Sequence, residues 1–307
     1  MNLTRNTKSS LKAVKSQLLQ MAIWHGQKPS TLTPRTLALQ LLHILSRDAD
    51  PSCLEDISRD INKDISRISL TYSAADSHGD IDYALIIYAL EAQSNLMPLE
   101  SNEYAPAIAG FLRQSLHNWP SRRGSLDKAT LKLAINTGNT KSGATIFDEP
   151  SLLSSLAASI STGFALVQAA VEKDAFENEL YDELLLILGI IINVLEHCPD
   201  ARASMDGGSL DALTGLWVNS SSIVNDAESV GQSKLGVALG YLAITIGYLY
   251  LAPSGRLQMR EHKNWPGTKH LINSIQEFLG IIKAVDNKMQ ELDVLVSDLR
   301  KEQLAER

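Results

Sequence analysis

The sequence predicts an all-α protein in which paired helices stack into an irregular α-solenoid. Apolar residues recur at helical spacing along most of the 307 residues, whereas the alternating pattern of β-strands is almost absent. The predicted helices form about six hairpins, which begin near residues 8, 52, 103, 150, 207 and 265. Their separation of roughly 45–58 residues is at or above the length of HEAT and armadillo units. A compact helical bundle is the alternative architecture.

Capping signals locate the helices of the first half. One helix opens at Thr33–Pro34, because threonine can cap the free amide groups and proline fits the first helical turn. Another opens at Ser52 and Glu55, which have the spacing of a capping box. Three helices predicted for this half cover 9–25, 103–118 and 125–136. Three more begin at 33, 52 and 80.

A segment rich in turn-forming residues, 136–149, predicts the boundary between two helical lobes, 1–140 and 150–307. Gly138, Lys141 and Gly143 do not follow the order of a phosphate-binding loop, so we interpret this segment as a flexible linker. The helices predicted for the second lobe cover 150–172, 176–198, 207–222, 228–252, 265–283 and 284–305.

The composition is that of a folded protein, with 44% hydrophobic and 21% charged residues. Residues 1–47 contain seven basic and no acidic residues, and we interpret them as a solvated helix face. Direct nucleic-acid binding is not expected, since only one aromatic residue, Trp24, lies among these basic residues. Cys53 and Cys198 are expected to be reduced core thiols. No signal peptide is visible, which predicts a cytosolic or nuclear protein.

Leu235–Ala252 has two interpretations, because it is 18 residues long and uncharged. Gly236 and Gly240 have the spacing that lets membrane helices approach each other closely. The three tyrosines and Thr245 of this segment instead favour the central, buried helix of a large helical protein, and we predict that no membrane is involved.

No pattern in the sequence indicates catalysis. His197–Cys198 is the nearest approach to a metal cluster, and no second pair of ligands follows. Gly207–Gly208 is interpreted as a helix stop with Ser209 as the following cap, and Asp182–Glu183 is expected to face solvent. We therefore predict a protein that is not an enzyme and that holds no metal ion or cofactor.

Basic residues gather between two predicted helices. Arg256, Arg260, Lys263 and Lys269 lie there with one acid, Glu261. Loops that a rigid scaffold positions often carry function, so this cluster is a candidate partner-binding patch. The alternative is a solvated connection.

The last predicted helix repeats apolar residues at spacings of three and four, namely at Met289, Leu292, Val296 and Leu299. Because two heptads are too few for a stable coiled coil, we expect this helix to cap the end of the stack.

Three segments resemble the conserved C-terminal region of the Wapl (wings apart-like) family. They are Leu188–Arg202 (LGIIINVLEHCPDAR), Val237–Leu242 (VALGYL) and Ile275–Leu279 (IQEFL), and they occur in the family's order. The resemblance spans about 184–305. The first half shows no motif of the family, as in its divergent fungal members, so a fungal member is predicted.

The resemblance implies a nuclear HEAT-repeat protein that binds the ATPase-head region and the HEAT-type subunits of cohesin and promotes cohesin release from chromatin. We expect a monomer. The resemblance makes Asn193, Glu196 and Arg202 candidate partner-binding residues. Asn193 and Glu196 share a helix face and are expected to satisfy buried groups, whereas Arg202 is expected to be exposed. A scaffold of another complex, a membrane-associated protein and an all-α enzyme are the alternatives.

Overall fold

A computed structural model describes residues 105–117, 119, 125–173, 175–176, 178–220, 230–283 and 290–305. The helices predicted within 1–104, and Cys53, lie outside these residues. The described ranges contain eleven α-helices, one 3-10 turn (Thr145–Phe147) and no β-strand. The helices α1 to α11 are, in order, Ala105–His117, Ser125–Gly138, Lys141–Ala144, Pro150–Glu172, Asn178–His197, Pro199–Ser204, Gly207–Ser220, Val230–Tyr250, Pro253–Glu261, Thr268–Lys283 and Gln290–Ala305.

The predicted all-α helical-repeat fold is therefore confirmed for the described part of the chain. Seven of the eight long helices begin and end within about three residues of the predicted bounds. The eighth, α11, ends at the predicted residue, and its predicted start at 284 lies outside the described residues. The sequence did not reveal three short helices, α3, α6 and α9. Helices α6 and α9 each begin with a proline after a non-helical residue, Cys198 or Ala252. Proline disfavours helical backbone in the residue before it, so each proline ends one helix and starts the next.

The segment that was interpreted as a flexible linker is partly helical, and that interpretation was wrong for 141–147. Thr140 caps α3, because its hydroxyl oxygen accepts a hydrogen bond from the Gly143 amide at 3.1 Å. The 3-10 turn follows directly and buries Phe147 completely.

The chain divides into two compact units. Of the described residues, 105–115 and 125–143 belong to the first unit, and 116–117, 119 and 144–305 belong to the second. In the first unit α2 buries Leu131, Leu133 and Ala134. The candidate partner-binding residues all belong to the second unit.

Helix α8 is the centre of the second unit. It packs against α4, α5, α6, α7, α9, α10 and α11, and its residues from Ala238 to Tyr250 are buried except for Tyr241. A Cβ atom on Gly240 would overlap the ring of Phe278 in α10, so glycine is what allows α10 to approach α8. This packing supports the core interpretation of Leu235–Ala252.

Two stretches are apolar enough to be compared with membrane spans. Helix α4 meets the length and composition of a span, but half of its most apolar window is buried within the protein. Helices α8 and α9 reach the length and composition of a span only when they are taken together. The chain bends by 117° at the break between these two helices. Buried core helices have the same length and composition, so neither observation argues strongly for a membrane.

A buried polar group joins α5 to the segment before α2. Glu183 is only 6% exposed, and its carboxylate accepts a hydrogen bond of 3.2 Å from the indole N–H of Trp119. The Trp119 carbonyl in turn accepts a hydrogen bond from Ser159 of α4 at 2.9 Å. The prediction that Glu183 faces solvent was therefore wrong. Helical periodicity alone does not show that a tryptophan far away in sequence supplies a partner.

Helix α7 is capped by Asp206 and not by Ser209. The Asp206 carboxylate accepts the Ser209 amide at 2.9 Å and the Ser154 hydroxyl at 2.5 Å. These hydrogen bonds lower the pKa of Asp206 to about 2. The predicted cap was three residues late, because both glycines are part of the helix.

Helix α11 is the last described helix of the second unit. It buries Leu295, Val296 and Leu299 and packs on α8 and α10. It packs within the unit, and its role as a cap of the stack stays a prediction.

Candidate functional site

Arg202 of α6 lies on the carboxyl end of α5. Its Nε donates to the carbonyl oxygen of Leu195 at 2.6 Å, and its Nη2 donates to that of Glu196 at 3.2 Å. Carbonyl groups in the last turn of a helix lack partners within the helix, and a cation is favoured there by the helix dipole. Arg202 therefore caps α5.

The same guanidinium lies over the ring of Tyr248 in α8, with its Cζ atom 5.2 Å from the ring centroid. Burial lowers the pKa of Arg202, against the opposing effects of Tyr248, Asp298 and Glu196. The prediction that Arg202 is exposed was wrong, since the side chain is half-buried and joins three helices.

Glu196 lies beside Arg202 at the end of α5. Burial raises the pKa of Glu196, and the carboxylate of Glu291 raises it further, while His197 and Arg202 act in the opposite direction. Burial, followed by the charge of Glu196, also raises the pKa of Tyr248. The half-buried environment of Glu196 thus disfavours its carboxylate form.

Asn193 lies one turn before Glu196 on the same helix and is also half-buried. Two of the three residues implied by the family resemblance, Glu196 and Arg202, come together as neighbours. We name the group of Glu196, Arg202 and Tyr248 the α5 end cluster. Tyr248 was missed in the sequence because nothing distinguishes it from the other tyrosines of α8.

Helix α11 connects this cluster to the second group of candidates. Asp298 is close enough to raise the pKa of Arg202, and Glu302, one turn later, forms an ion pair with Arg256 of α9. The spacing of Asp298 and Glu302 places them on one helix face. That spacing was visible in the sequence, but their basic partners were not.

The basic residues of 253–269 differ in their environment. The side chain of Arg256 is 19% exposed and forms an ion pair with Glu302. It therefore stabilises the packing of α9 against α11. Arg260, Lys263 and Lys269 are exposed. The predicted loop is in fact helix α9 followed by a short turn, and only part of the predicted patch faces outward.

Aromatic packing holds the turn that follows α9. The ring of Trp265 stacks on that of Tyr250 with 5.7 Å between centroids and an interplanar angle of 11°. Trp217 of α7 packs against the rings of both Trp265 and His270. The hydroxyl groups of Tyr250 and Thr268 are hydrogen-bonded at 2.7 Å. The turn therefore has a fixed position on α7 and α8.

Within the described ranges, no three His, Cys, Asp or Glu side chains are placed so that they could hold a metal ion. Cys198 is buried and its thiol is in the reduced form, as the sequence predicted. What the second unit offers is a packed helical scaffold with the α5 end cluster and with three exposed basic residues, Arg260, Lys263 and Lys269, in and after α9.

Comparisons with known proteins give the family. The family described as "Wings apart-like protein regulation of heterochromatin" matches residues 1–201. No curated protein matches the chain. Among solved structures, the crystal structure of an engineered protein, a structural genomics target, is similar over 94% of this chain and 97% of its own, with a TM-score of 0.55 and 12% identity. At that identity the likeness shows the fold alone.

The fold defines a helical-repeat protein, and the description of the matching family is that of regulatory proteins. Because the match covers well over half of its sequence, the chain belongs to the Wings apart-like (Wapl) family.

The family prediction is confirmed, although the match lies mostly in the half where no motif was recognised. Of the three segments that suggested the family, only 188–201 lies within it. Val237–Leu242 and Ile275–Leu279 are core segments of α8 and α10. Their apolar character follows from burial, so they carry little family information.

Proposed function

We propose that this protein is a nuclear regulator of cohesin that promotes the release of cohesin from chromatin. In this proposal it binds the ATPase-head region of cohesin and the HEAT-type subunits associated with it. It acts as a monomer, by binding and without a catalytic step, and neither a membrane nor nucleic acid is its partner. The observation that carries the proposal is the match of residues 1–201 to a family described as regulating heterochromatin.

The physical mechanism is a shift of a conformational equilibrium. A protein without catalytic chemistry can drive ring opening only if it binds the open state more tightly than the closed one. To change the populations from about 1:99 to about 99:1, the two affinities must differ by roughly 10⁴-fold. Such a difference needs a rigid binding face, and the fixed positions of α9 and of the turn after it provide one.

The six candidate residues differ in their exposure and in their contacts within the chain. Asn193, Glu196 and Arg202 are half-buried, and Arg256 is engaged within the chain. Arg260 and Lys263 are exposed and are therefore the members proposed to touch a partner directly.

The test is a pull-down of purified cohesin head complex and HEAT-type subunits by the whole protein. The variant Arg260→Glu/Lys263→Glu is compared with the matched control Lys173→Glu/Arg300→Glu, in which two exposed basic residues elsewhere are reversed. Arg256 is left unchanged, because reversing its charge would disturb the fold. If the parent and the control bind and the variant does not, the result supports both the proposed function and a direct contact by Arg260 and Lys263. Binding by all three supports the function alone, and binding by none contradicts it and leaves a scaffold of another complex.

A further inference from the structure

The ammonium group of Lys234, near the start of α8, contacts two aromatic rings and an amide oxygen. Its Nζ atom lies 4.9 Å from the ring centroid of Phe176 and 5.3 Å from that of Tyr181. It also donates a hydrogen bond of 2.5 Å to Oδ1 of Asn178. A cation at such distances from aromatic rings is attracted by their π-electrons. We name the group of Phe176, Asn178, Tyr181 and Lys234 the Lys234 cage.

The two aromatic residues of the cage differ in how firmly they are held. Tyr181 of α5 is 7% exposed, so the surrounding core fixes its ring. Phe176 lies between α4 and α5 and is only partly buried. Its ring contacts that of Tyr181, with 5.8 Å between the centroids and an interplanar angle of 52°. Lys234 therefore joins α8 both to the start of α5 and to the less buried residue before it.

Helix α8 approaches the same residues closely one turn before Lys234. A Cβ atom on Gly231 would lie 3.0 Å from a methyl group of Val171, at the end of α4, and 3.6 Å from the Phe176 ring. Gly231 and Lys234 are three residues apart and so share a face of α8. The start of α8 thus packs on Phe176 through a close apolar contact and, one turn later, through a charged one.

The contacts of the cage depend on the charge of Lys234. An acyl group on Nζ removes the positive charge, whereas a methyl group keeps it. An acyl-lysine also retains one N–H, fixed in the plane of its amide, in place of the three donors of the ammonium group. The hydrogen bond to Asn178 is exposed to solvent, so a reagent can reach Nζ. Acylation and methylation should therefore have opposite effects on the cage.

We propose that the Lys234 cage is a lysine-modification switch: Nε-acylation of Lys234 opens it and separates Phe176 from α8, whereas Nε-methylation leaves it closed. In the acylation step the unprotonated Nζ attacks the carbonyl carbon of an acyl thioester. A C–N bond forms, the C–S bond breaks, and the thiol leaves with the proton of the amine. The inference does not rest on the proposed function, because the cage and its test involve only this chain.

The test uses the whole protein with Nε-acetyl-lysine or Nε-methyl-lysine installed at Lys234 during translation. The matched control carries Nε-acetyl-lysine at Lys173, an exposed lysine just after α4. Lys234→Gln, which removes the charge, and Lys234→Arg, which keeps it, are a second pair of variants made from ordinary amino acids.

Hydrogen exchange of single amide groups is the readout. The Ala175 amide, next to Phe176, donates a hydrogen bond of 2.9 Å to the Ala170 carbonyl, so its exchange rate reports local opening beside the cage. The amide of Ile275, a fully buried residue of α10, reports on the unit as a whole.

We expect acetylation of Lys234, and Lys234→Gln, to speed exchange at Ala175 by about tenfold or more, because two cation–π contacts and a charged hydrogen bond are lost together. Methylation of Lys234, Lys234→Arg and acetylation of Lys173 should leave that rate within about twofold of the parent. Exchange at Ile275 should stay unchanged in all of them.

Three outcomes overturn the inference. An unchanged rate at Ala175 after acetylation of Lys234 would mean that the cage does not hold Phe176. Equal acceleration by methylation or by Lys234→Arg would mean that the charge is not what closes the cage. Equal acceleration at Ala175 and Ile275 would mean that acetylation unfolds the unit instead of opening a local switch.

Discussion

The guanidinium of Arg202 lies 5.2 Å from the ring centroid of Tyr248 while it donates hydrogen bonds to two carbonyl oxygens at the end of α5. One side chain thereby joins α5, α6 and α8. The family resemblance suggested Arg202 as an exposed partner contact, but its contacts are those of a structural residue. Loss of function in an Arg202 variant therefore has to be separated from loss of stability.

Replacing Arg202 by alanine is expected to lower the free energy of unfolding by about 2 kcal/mol, because hydrogen bonds from a charged donor contribute roughly 1.5–3 kcal/mol. Lysine should restore only part of this, since it keeps the charge but loses the planar fork that reaches both carbonyls. Urea denaturation provides the measurement. Arg300→Ala, which removes an exposed arginine, is the control, and an equal effect in both variants would contradict the role of Arg202.

Glu196→Gln tests the electrostatics of the same cluster. Because the pKa of Glu196 is raised in the folded state, its ionised form is disfavoured there, and ionisation reduces stability as the pH rises through the unfolded and then the folded pKa. Glutamine should therefore match or exceed the parent in stability at pH 7. The difference should vanish below the unfolded pKa, near 4.5.

Unfolding curves recorded across that pH range, with exposed Glu277→Gln as a control, check this expectation. A Glu196→Gln protein that is clearly less stable than the parent at pH 7 would show that the attraction of Arg202 and His197 outweighs burial.

The sequence predicted the long helices well because each buries a continuous apolar stripe. In α4 that stripe runs through Leu152, Leu156, Ile160, Phe164 and Val167. Helix α9 could not be found in this way, since it buries only Gly255 and Met259 and leaves its leucine outside. A helix of this kind is fixed by tertiary contacts, which have no local signal in the sequence.

The candidate site was predictable only in part, for the same reason. The basic cluster could be counted in the sequence, but its division into engaged and exposed members depends on Glu302, which is far from Arg256 along the chain. Likewise, the exposure of Arg202 was misjudged because the acceptors of its hydrogen bonds are backbone carbonyl groups. Every residue type has such groups, so no side-chain pattern marks them.

Charge reversal at the ion pair of α9 and α11 is expected to act on the fold. Arg256→Glu places two carboxylates together in a partly buried position and should lower the free energy of unfolding by about 1–3 kcal/mol. The exchange Arg256→Glu/Glu302→Arg should recover much of that loss, because the pair is restored in the opposite orientation. Thermal unfolding of both variants is the measurement, and a double variant no better than the single one would show that the pair does not act as a unit.

Asp206→Ala removes the cap of α7 together with the hydrogen bond from Ser154. At pH 7 it should cost about 1 kcal/mol, the usual cost of losing such a cap. The pKa of Asp206 is lowered from 3.8 to about 2. The stabilisation is therefore complete above the unfolded value and is lost as the pH falls toward 2.

The stability difference between parent and Asp206→Ala should accordingly shrink across that acidic range, in urea titrations at several pH values. Because Asp206 is exposed, solvent screening limits the effect. Asp148→Ala, at an exposed residue outside the α-helices, is the control and should not show the loss at pH 7. A constant difference for Asp206→Ala across the pH range would remove the carboxylate from the explanation.

The approach of α8 and α10 can be tested with one substitution at two glycines. Gly240→Ala would push a Cβ atom into the Phe278 ring, which also contacts Tyr241 at 5.0 Å between centroids. Overpacking of a tight core contact costs about 1–3 kcal/mol, which outweighs the gain of up to about 1 kcal/mol from the better helix propensity of alanine.

Gly280→Ala in α10 has no atom within 4 Å of the new Cβ, so only the gain in helix propensity remains and the protein should become more stable. The two variants should thus move the urea midpoint in opposite directions, and Phe278→Leu should partly rescue Gly240→Ala by removing the clash. Equal shifts of the same sign would mean that Phe278 moves aside without cost and that glycine is not what sets the distance between these helices.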